Sequence, residues 1–222
     1  MSRIVEPEIL DTLPPDDPRA ARSRRDLRRV NWFMANPAIM ARALRQNIPG
    51  QPGQIAELGA GDGHFLRCVA EKLAWQNVHA VLLDQQNTVS AEALAALSKI
   101  TWRPETVVAD VFDWDGPAEI IIANLFIHHF DDARLAQLLQ KISRNATLFI
   151  ALEPHRFYFP FPCALTTLVV GCSRVTIHDA EASIRAGFVR REISDLWPDK
   201  TNWQLTERRA GFFSHLFVAR RT

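Results

Sequence analysis

Apolar and polar positions change rhythm three times along the chain. Across residues 20–46, Leu27, Val30, Phe33 and Met34 recur at the three- and four-residue spacing of an amphipathic helix face, which predicts an N-terminal helical region. Pro49, Gly50, Pro52 and Gly53 then break the pattern, so residues 1–47 read as a helical cap and residues 48–222 as the main domain. From Gln54 onward, short apolar runs alternate with helical stretches. Gln54–Leu58 and residues 78–83, 106–109, 119–123 and 147–152 read as strands, and residues 63–73, 91–98 and 132–143 as helices. Continuous apolar strands separated by helices predict a parallel sheet covered on both faces. Residues 203–208 and 212–219, joined at Ala210 and Gly211, read instead as an antiparallel hairpin. The sum is an α/β fold: a mostly parallel seven-stranded sheet with a C-terminal antiparallel hairpin and an N-terminal helical cap.

At 222 residues, with 47% hydrophobic and 23% charged residues, the chain suits one globular core with an appendage. A net charge of +1 excludes the global basic field of a nucleic-acid or anionic-membrane binder, so no nucleic-acid partner is expected. Arg19, Arg22, Arg24, Arg25, Arg28 and Arg29 are interspersed with Glu6, Asp16, Asp17 and Asp26, and this mixture reads as a solvated helix face. Cys68, Cys163 and Cys172 are too few and too irregular for a disulfide framework or a zinc site, which fits a cytoplasmic protein. The N-terminal stretch lacks the apolar run of a secretory signal. No run reaches the roughly 18 apolar residues of a membrane span. The nearest, residues 157–172, is interrupted by Pro160 and Pro162 and reads as a covering lid or a buried helix.

The strongest chemical signal is Ile55-Ala56-Glu57-Leu58-Gly59-Ala60-Gly61-Asp62-Gly63-His64, a strand running through a glycine turn into a helix. Residues without Cβ let a ligand approach the backbone and let the chain turn sharply into a helix whose N-terminal amides face the ligand. A nicotinamide-binding loop would need glycine at position 64, where histidine stands. Glu57-x-Gly59-x-Gly61-x-Gly63 resembles the first motif of class I S-adenosylmethionine-dependent methyltransferases, which have a Rossmann-like fold. Two further strands end in acids, Asp84 and Asp110. The resemblance implies that Asp84 accepts the ribose hydroxyls and that Asp110 meets the adenine amine. The implied cofactor is S-adenosylmethionine, held by Glu57, Gly59, Ala60, Gly61, Gly63, Asp84, Gln85, Asp110, Val111 and Asn124.

The fourth strand closes with Asn124-Leu125-Phe126-Ile127-His128-His129-Phe130-Asp131-Asp132, at the lip where donor and acceptor should meet. Asn124-Leu125-Phe126 is not the Asn/Asp-Pro-Pro-aromatic motif of amino-directed DNA methyltransferases. Asp131 reads as a helix N-cap. A metal-dependent catechol-type enzyme would place an Asp-Asn pair after the fifth strand, where this chain has Glu153-Pro154, so no metal is expected. The opening Glu8-Ile9-Leu10-Asp11, the stretch from Arg24 to Asn31, and His178-Asp179-Ala180-Glu181-Ala182-Ser183 on to Phe188 resemble the small methyltransferases encoded beside bacterial type III polyketide synthases. That likeness implies a small aromatic acceptor: a phenolic or quinone-like polyketide or lipid, methylated on oxygen or carbon. Where such proteins often carry Asn/Asp-Leu-x-Arg/His-His, this chain reads Leu152-Glu153-Pro154-His155-Arg156.

A phenol has a pKa near 10, so a histidine in reach can act as its base, and His128, His129 and His155 are the candidates by position. His64 is expected to face the cofactor, and His79 and His215 to lie on strands away from the acceptor. Glu153, Arg156, Phe157 and Tyr158 are the candidate acceptor contacts, in a lid expected across about residues 155–200. Protein, peptide or nucleic-acid methylation, or a non-catalytic cofactor-binding role, remain open alternatives, and the oligomeric state is not encoded.

Overall fold

A computed structural model describes residues 2–157 and 171–222. Seven strands form one sheet: β1 (Gln54–Leu58), β2 (His79–Asp84), β3 (Arg103–Val108), β4 (Ile120–Asn124), β5 (Leu148–Pro154), β6 (Trp203–Ala210) and β7 (Ser214–Arg221). Their order is β3-β2-β1-β4-β5-β7-β6. The first five strands are parallel, and β7 runs antiparallel between β5 and β6. The strand order reverses beside β1, so the ends of β1 and β4 flank the crevice where such sheets bind ligands.

The helices among the described residues are α1 (Ile9–Thr12), α2 (Pro18–Phe33), α3 (Asn36–Asn47), α4 (His64–Leu73), α5 (Ala91–Lys99), α6 (Asp132–Asn145), α7 (Arg174–Ala186) and α8 (Glu192–Leu196). Alternate strand residues feed two cores. Ile55, Leu82, Ile122 and Ile150 pack with α3 and α4 on one face. Ala56, Leu83, Ile121 and Phe149 pack with α6 and Trp197 on the other. Both faces of β1, β2, β4 and β5 are therefore dry, which is why the sequence shows unbroken apolar runs there.

Three expectations are adjusted. The predicted N-terminal helical region is two helices, because Ala35 takes a left-handed φ of 56° and Pro37 sits in the first turn of α3, where its missing N–H costs nothing. Strand β3 starts three residues earlier than predicted, at Arg103. It is a sheet edge, which tolerates Pro104 and exposed charge that mask its apolar rhythm. The terminal hairpin turns over Gly211, Phe212 and Phe213, so β7 begins at Ser214 instead of Phe212. Among the described residues, no helix is long and apolar enough to cross a membrane.

Candidate functional site

Strand β1 leaves the sheet at Leu58 and re-enters helical geometry at His64 through three glycines of positive φ: Gly59 (67°), Gly61 (53°) and Gly63 (75°). Two of these are demanded by close approach. A Cβ on Gly59 would lie 2.3 Å from the Phe126 ring, and one on Gly63 would press on Leu82 and Val89 at 3.0 and 3.1 Å. Gly61 faces open space in the cleft. Asp84 steadies the turn by accepting the Gly61 amide at 2.8 Å and the Gln86 amide at 2.9 Å. Asp110 likewise accepts the Phe112 amide at 2.8 Å.

A cleft of about 980 Å³ opens above this turn. Glu57, Gly59, Ala60, Gly61, Asp84, Gln85, Asp110, Val111 and Asn124 all line it, whereas Gly63 faces the β2–α5 side as a packing glycine. Glu57 is buried and its Oε2 has no partner. Burial pushes its carboxyl well above the usual range, and the charges of Asp62 and Asp84 push the same way. His64 lines the cleft too, with its Nε2 3.4 Å from the Cys68 sulfur. Burial and then the Arg28 charge lower its pKa.

The lip beyond β4 is shaped by one fully buried carboxylate. Glu153 accepts the backbone amides of Phe126 and Ile127 at 3.1 Å each and of His128 at 3.4 Å, and receives His128 Nδ1 at 2.7 Å. It thereby satisfies the free amides of the short 3₁₀ turn Ile127–His129. His128 Nε2 lies 3.3 Å from Glu8 Oε1. His129 donates Nδ1–H to the Phe126 carbonyl at 2.7 Å, leaving its Nε2 3.4 Å from Glu8 Oε2 and 3.6 Å from Asp11 Oδ2. Burial alone would lower the His129 pKa, but Glu8, Asp11 and the Phe126 carbonyl outweigh it and raise it to about 10. Burial opposes ionisation of Glu8 as well, and its hydrogen bonds to His128 and His129 prevail, holding it below the usual carboxylate range. Burial raises Asp11.

The N-terminal segment that brings Glu8 and Asp11 here is clamped at several points. Arg3 donates to the carbonyls of Ala186 (2.8 Å) and Phe130 (2.9 Å) and pairs with Asp132. Asp179 on α7 accepts the Ile9 and Leu10 amides at 2.8 and 3.0 Å, capping the N-terminus of α1. Ser183 donates to Glu8 Oε1.

Several expected site residues do not line the cleft. His155 packs edge-on against Phe157 and stacks on His215. Burial, then the charges of His215, Arg209 and Arg156, lower its pKa to about 4. Arg156 is tied to Glu192 at 2.5 Å and to the Gly187 carbonyl at 2.5 Å. Glu153 lies behind the lip, and Phe157 stacks on Phe212. Tyr158 lies outside the described residues.

Other cleft residues were not singled out from the sequence. Arg28 pairs with Asp62 of the glycine turn at 2.7 Å, so at this position the arginine-rich helix is not a solvated face. Asp26, also taken for surface, is buried and bonds Ser173 and Thr176 at the start of α7. Glu8 and Asp11 belong to a stretch already quoted as a family likeness, but nothing in one sequence says that it folds over the lip.

The geometry has a counterpart among known families. Residues 55–147, which span the glycine turn, both acids and the lip, match the family model described as a methyltransferase domain. This segment is a methyltransferase domain. No curated protein matches the chain in sequence. Solved structures share its fold at low identity. The plantazolicin methyltransferase BpumL in complex with SAH is 12% identical with a TM-score of 0.65, covering 93% of this chain and 92% of that one. The mitomycin 7-O-methyltransferase MmcR is 19% identical with a TM-score of 0.62, covering 96% of this chain, which spans 60% of that protein. Magnesium protoporphyrin IX methyltransferase (ChlM) from Synechocystis PCC 6803, with bound SAH, is 15% identical with a TM-score of 0.56, covering 86% and 84%.

Proposed function

We propose that this methyltransferase moves the methyl group of S-adenosylmethionine onto a small aromatic acceptor, a phenolic or quinone-like compound, with residues 1–47 acting as the cap over the acceptor end of the cleft. One observation carries the reading: the glycine turn and the histidine lip open into the same cleft, with Phe126 packed directly between them. The cofactor fits the residues present. The unpartnered Oε2 of Glu57 sits where a cationic ligand would satisfy it, and Gly61 leaves its surface free for a ligand's approach. Asp84 and Asp110 each retain acceptor capacity for hydroxyl and amine donors beyond their loop bonds. When bound, the sulfonium supplies an electrophilic methyl group, so the protein's own task is alignment and exclusion of water.

Acceptor handling falls to the lip. Of the three histidines considered as bases, His155 is remote from the cleft and both ring nitrogens of His128 face carboxylates. His129, whose pKa of about 10 keeps Nε2 protonated, meets the acceptor oxygen as a donor, and the Glu8 and Asp11 carboxylates beside it are the groups able to take a hydroxyl proton. The kinship with enzymes named for small molecules, such as MmcR, supports a small acceptor.

Calorimetry with S-adenosylmethionine and S-adenosylhomocysteine, followed by cofactor-consumption screening against phenolic lipids, quinols, peptides and nucleic acids, tests the proposal. Both cofactor forms should bind, and Asp84→Ala should weaken binding by about 1.5–3 kcal/mol. No binding by the parent protein, or turnover with macromolecules alone, would overturn it.

A further inference from the structure

Glu8, His128 and His129 come from distant parts of the chain, yet their candidate donor atoms lie within 4.8 Å of one another. Three features separate this cluster from an ordinary set of ion pairs. First, each imidazole has its Nδ1 committed elsewhere, His128 to the Glu153 carboxylate and His129 to the Phe126 carbonyl, both at 2.7 Å. Metal-bound histidines are held this way, because the bond fixes the ring and leaves Nε2 to bind the cation, which displaces any proton there. Second, the two Nε2 atoms stand 3.3 and 3.4 Å from oxygens of the same carboxylate. A hydrogen bond of this type centres near 2.9–3.0 Å, whereas two donors on a tetrahedral cation with bonds of about 2.0–2.1 Å are separated by about 3.3 Å. Third, the carboxylate is pre-placed by Ser183 and by the capped helix α1, and the cluster opens on the cleft, where Asp11 Oδ2 is 3.6 Å from His129 Nε2.

We propose that Glu8, His128 and His129 form a binding site for a divalent first-row transition cation of the zinc class, with its fourth position directed into the cleft. Two imidazoles and one carboxylate are a donor set that zinc accepts while keeping one position open. The expectation of a metal-free site rested on Glu153-Pro154 after the fifth strand. The ligands arise one strand over, and Glu153 serves behind His128 as the orienting carboxylate.

This deepens the acceptor assignment and rests on it: a phenolic oxygen at the open position would be acidified by the cation. Its proton would leave to Asp11 or solvent. The O–CH₃ bond would then form as the C–S bond breaks, releasing S-adenosylhomocysteine.

The test uses the full chain, stripped with chelator and titrated with Co²⁺ and Zn²⁺. Cobalt should give the intense visible bands of tetrahedral coordination, and zinc should displace it with a Kd of about 1 μM or tighter. Glu8→Gln and His129→Ala should each weaken zinc binding by about 100-fold or more, and Glu153→Gln by about 10- to 100-fold. Absence of the cobalt spectrum, or zinc affinity unchanged in both Glu8→Gln and His129→Ala, would overturn the site. Should the histidine variant fail to fold, Glu8→Gln, altered in the N-terminal segment outside the sheet, decides alone. S-adenosylhomocysteine calorimetry on the same samples separates the two proposals. In the parent protein, absent metal binding with intact S-adenosylhomocysteine binding counts against the cation site, and the reverse counts against methyl transfer.

Discussion

Two residues set the spacing between the cofactor turn and the lip: Gly59, which lets the Phe126 ring close on it, and Glu153, which gathers the three amides that follow. Gly59→Ala places a methyl group inside that ring and forces a left-handed φ on a residue with a Cβ, so unfolding free energy should drop by about 2–4 kcal/mol, read by urea denaturation. Glu153→Ala leaves the His128 ring and three amides without their buried partner. It should cost about 3–5 kcal/mol, a fall in thermal midpoint and not a selective rise in acceptor KM. Glu57 offers a proton-linkage test. Burial disfavours its ionised form and a cationic ligand favours that form, so cofactor binding should release a proton and tighten as pH rises. Calorimetry in buffers of different ionisation enthalpy measures this directly. The glycines and strand-end acids were legible because backbone conformation and strand position constrain residue type. The role of Glu153 was not, because an acid at a strand end looks the same in sequence whether it faces a ligand or props up a turn.

Among elements, α1 and α7 behave as one unit although Ile9 and Asp179 are 170 residues apart. The two outer motifs of the family likeness are therefore two halves of one contact, with Asp179 capping α1 and Ser183 fixing Glu8. Asp179→Ala should release α1 while leaving the glycine turn untouched. Hydrogen exchange over residues 9–12 should quicken by about 5- to 30-fold, the equivalent of a lost cap of about 1–2 kcal/mol, and kcat should fall while S-adenosylhomocysteine affinity holds. An unchanged exchange rate would show that α1 is held by something else. The sheet and its hairpin were readable from periodicity alone. The N-terminal helices were read too simply, because the amphipathic spacing runs on through Ala35 while one left-handed residue redirects the chain.

For the molecule as a whole, acid stability should carry the signature of His155. Its pKa is about 4 in the fold against 6.5 for the free side chain. Between these values the unfolded chain binds the extra proton, so stability is untouched above pH 6.5 and declines as pH falls from 6.5 towards 4. His155→Gln should flatten the slope of thermal midpoint against pH in that window by about one proton's worth.

The clamp of the N-terminal segment on α7 also bears on how the protein is made. Residues 3–11 leave the ribosome early, but their anchors, Asp179, Ser183 and the Arg185 and Ala186 carbonyls, are added some 170 residues later. Contacts of such separation carry a high loop-closure cost until the intervening chain has folded. The five parallel strands can assemble first, so a nascent or refolding chain should acquire its cofactor crevice before its acceptor lip. Pulse-labelling during refolding should find the β1 and β4 amides protected ahead of those of Ile9 and Leu10, and protection of Ile9 and Leu10 first would reverse the order.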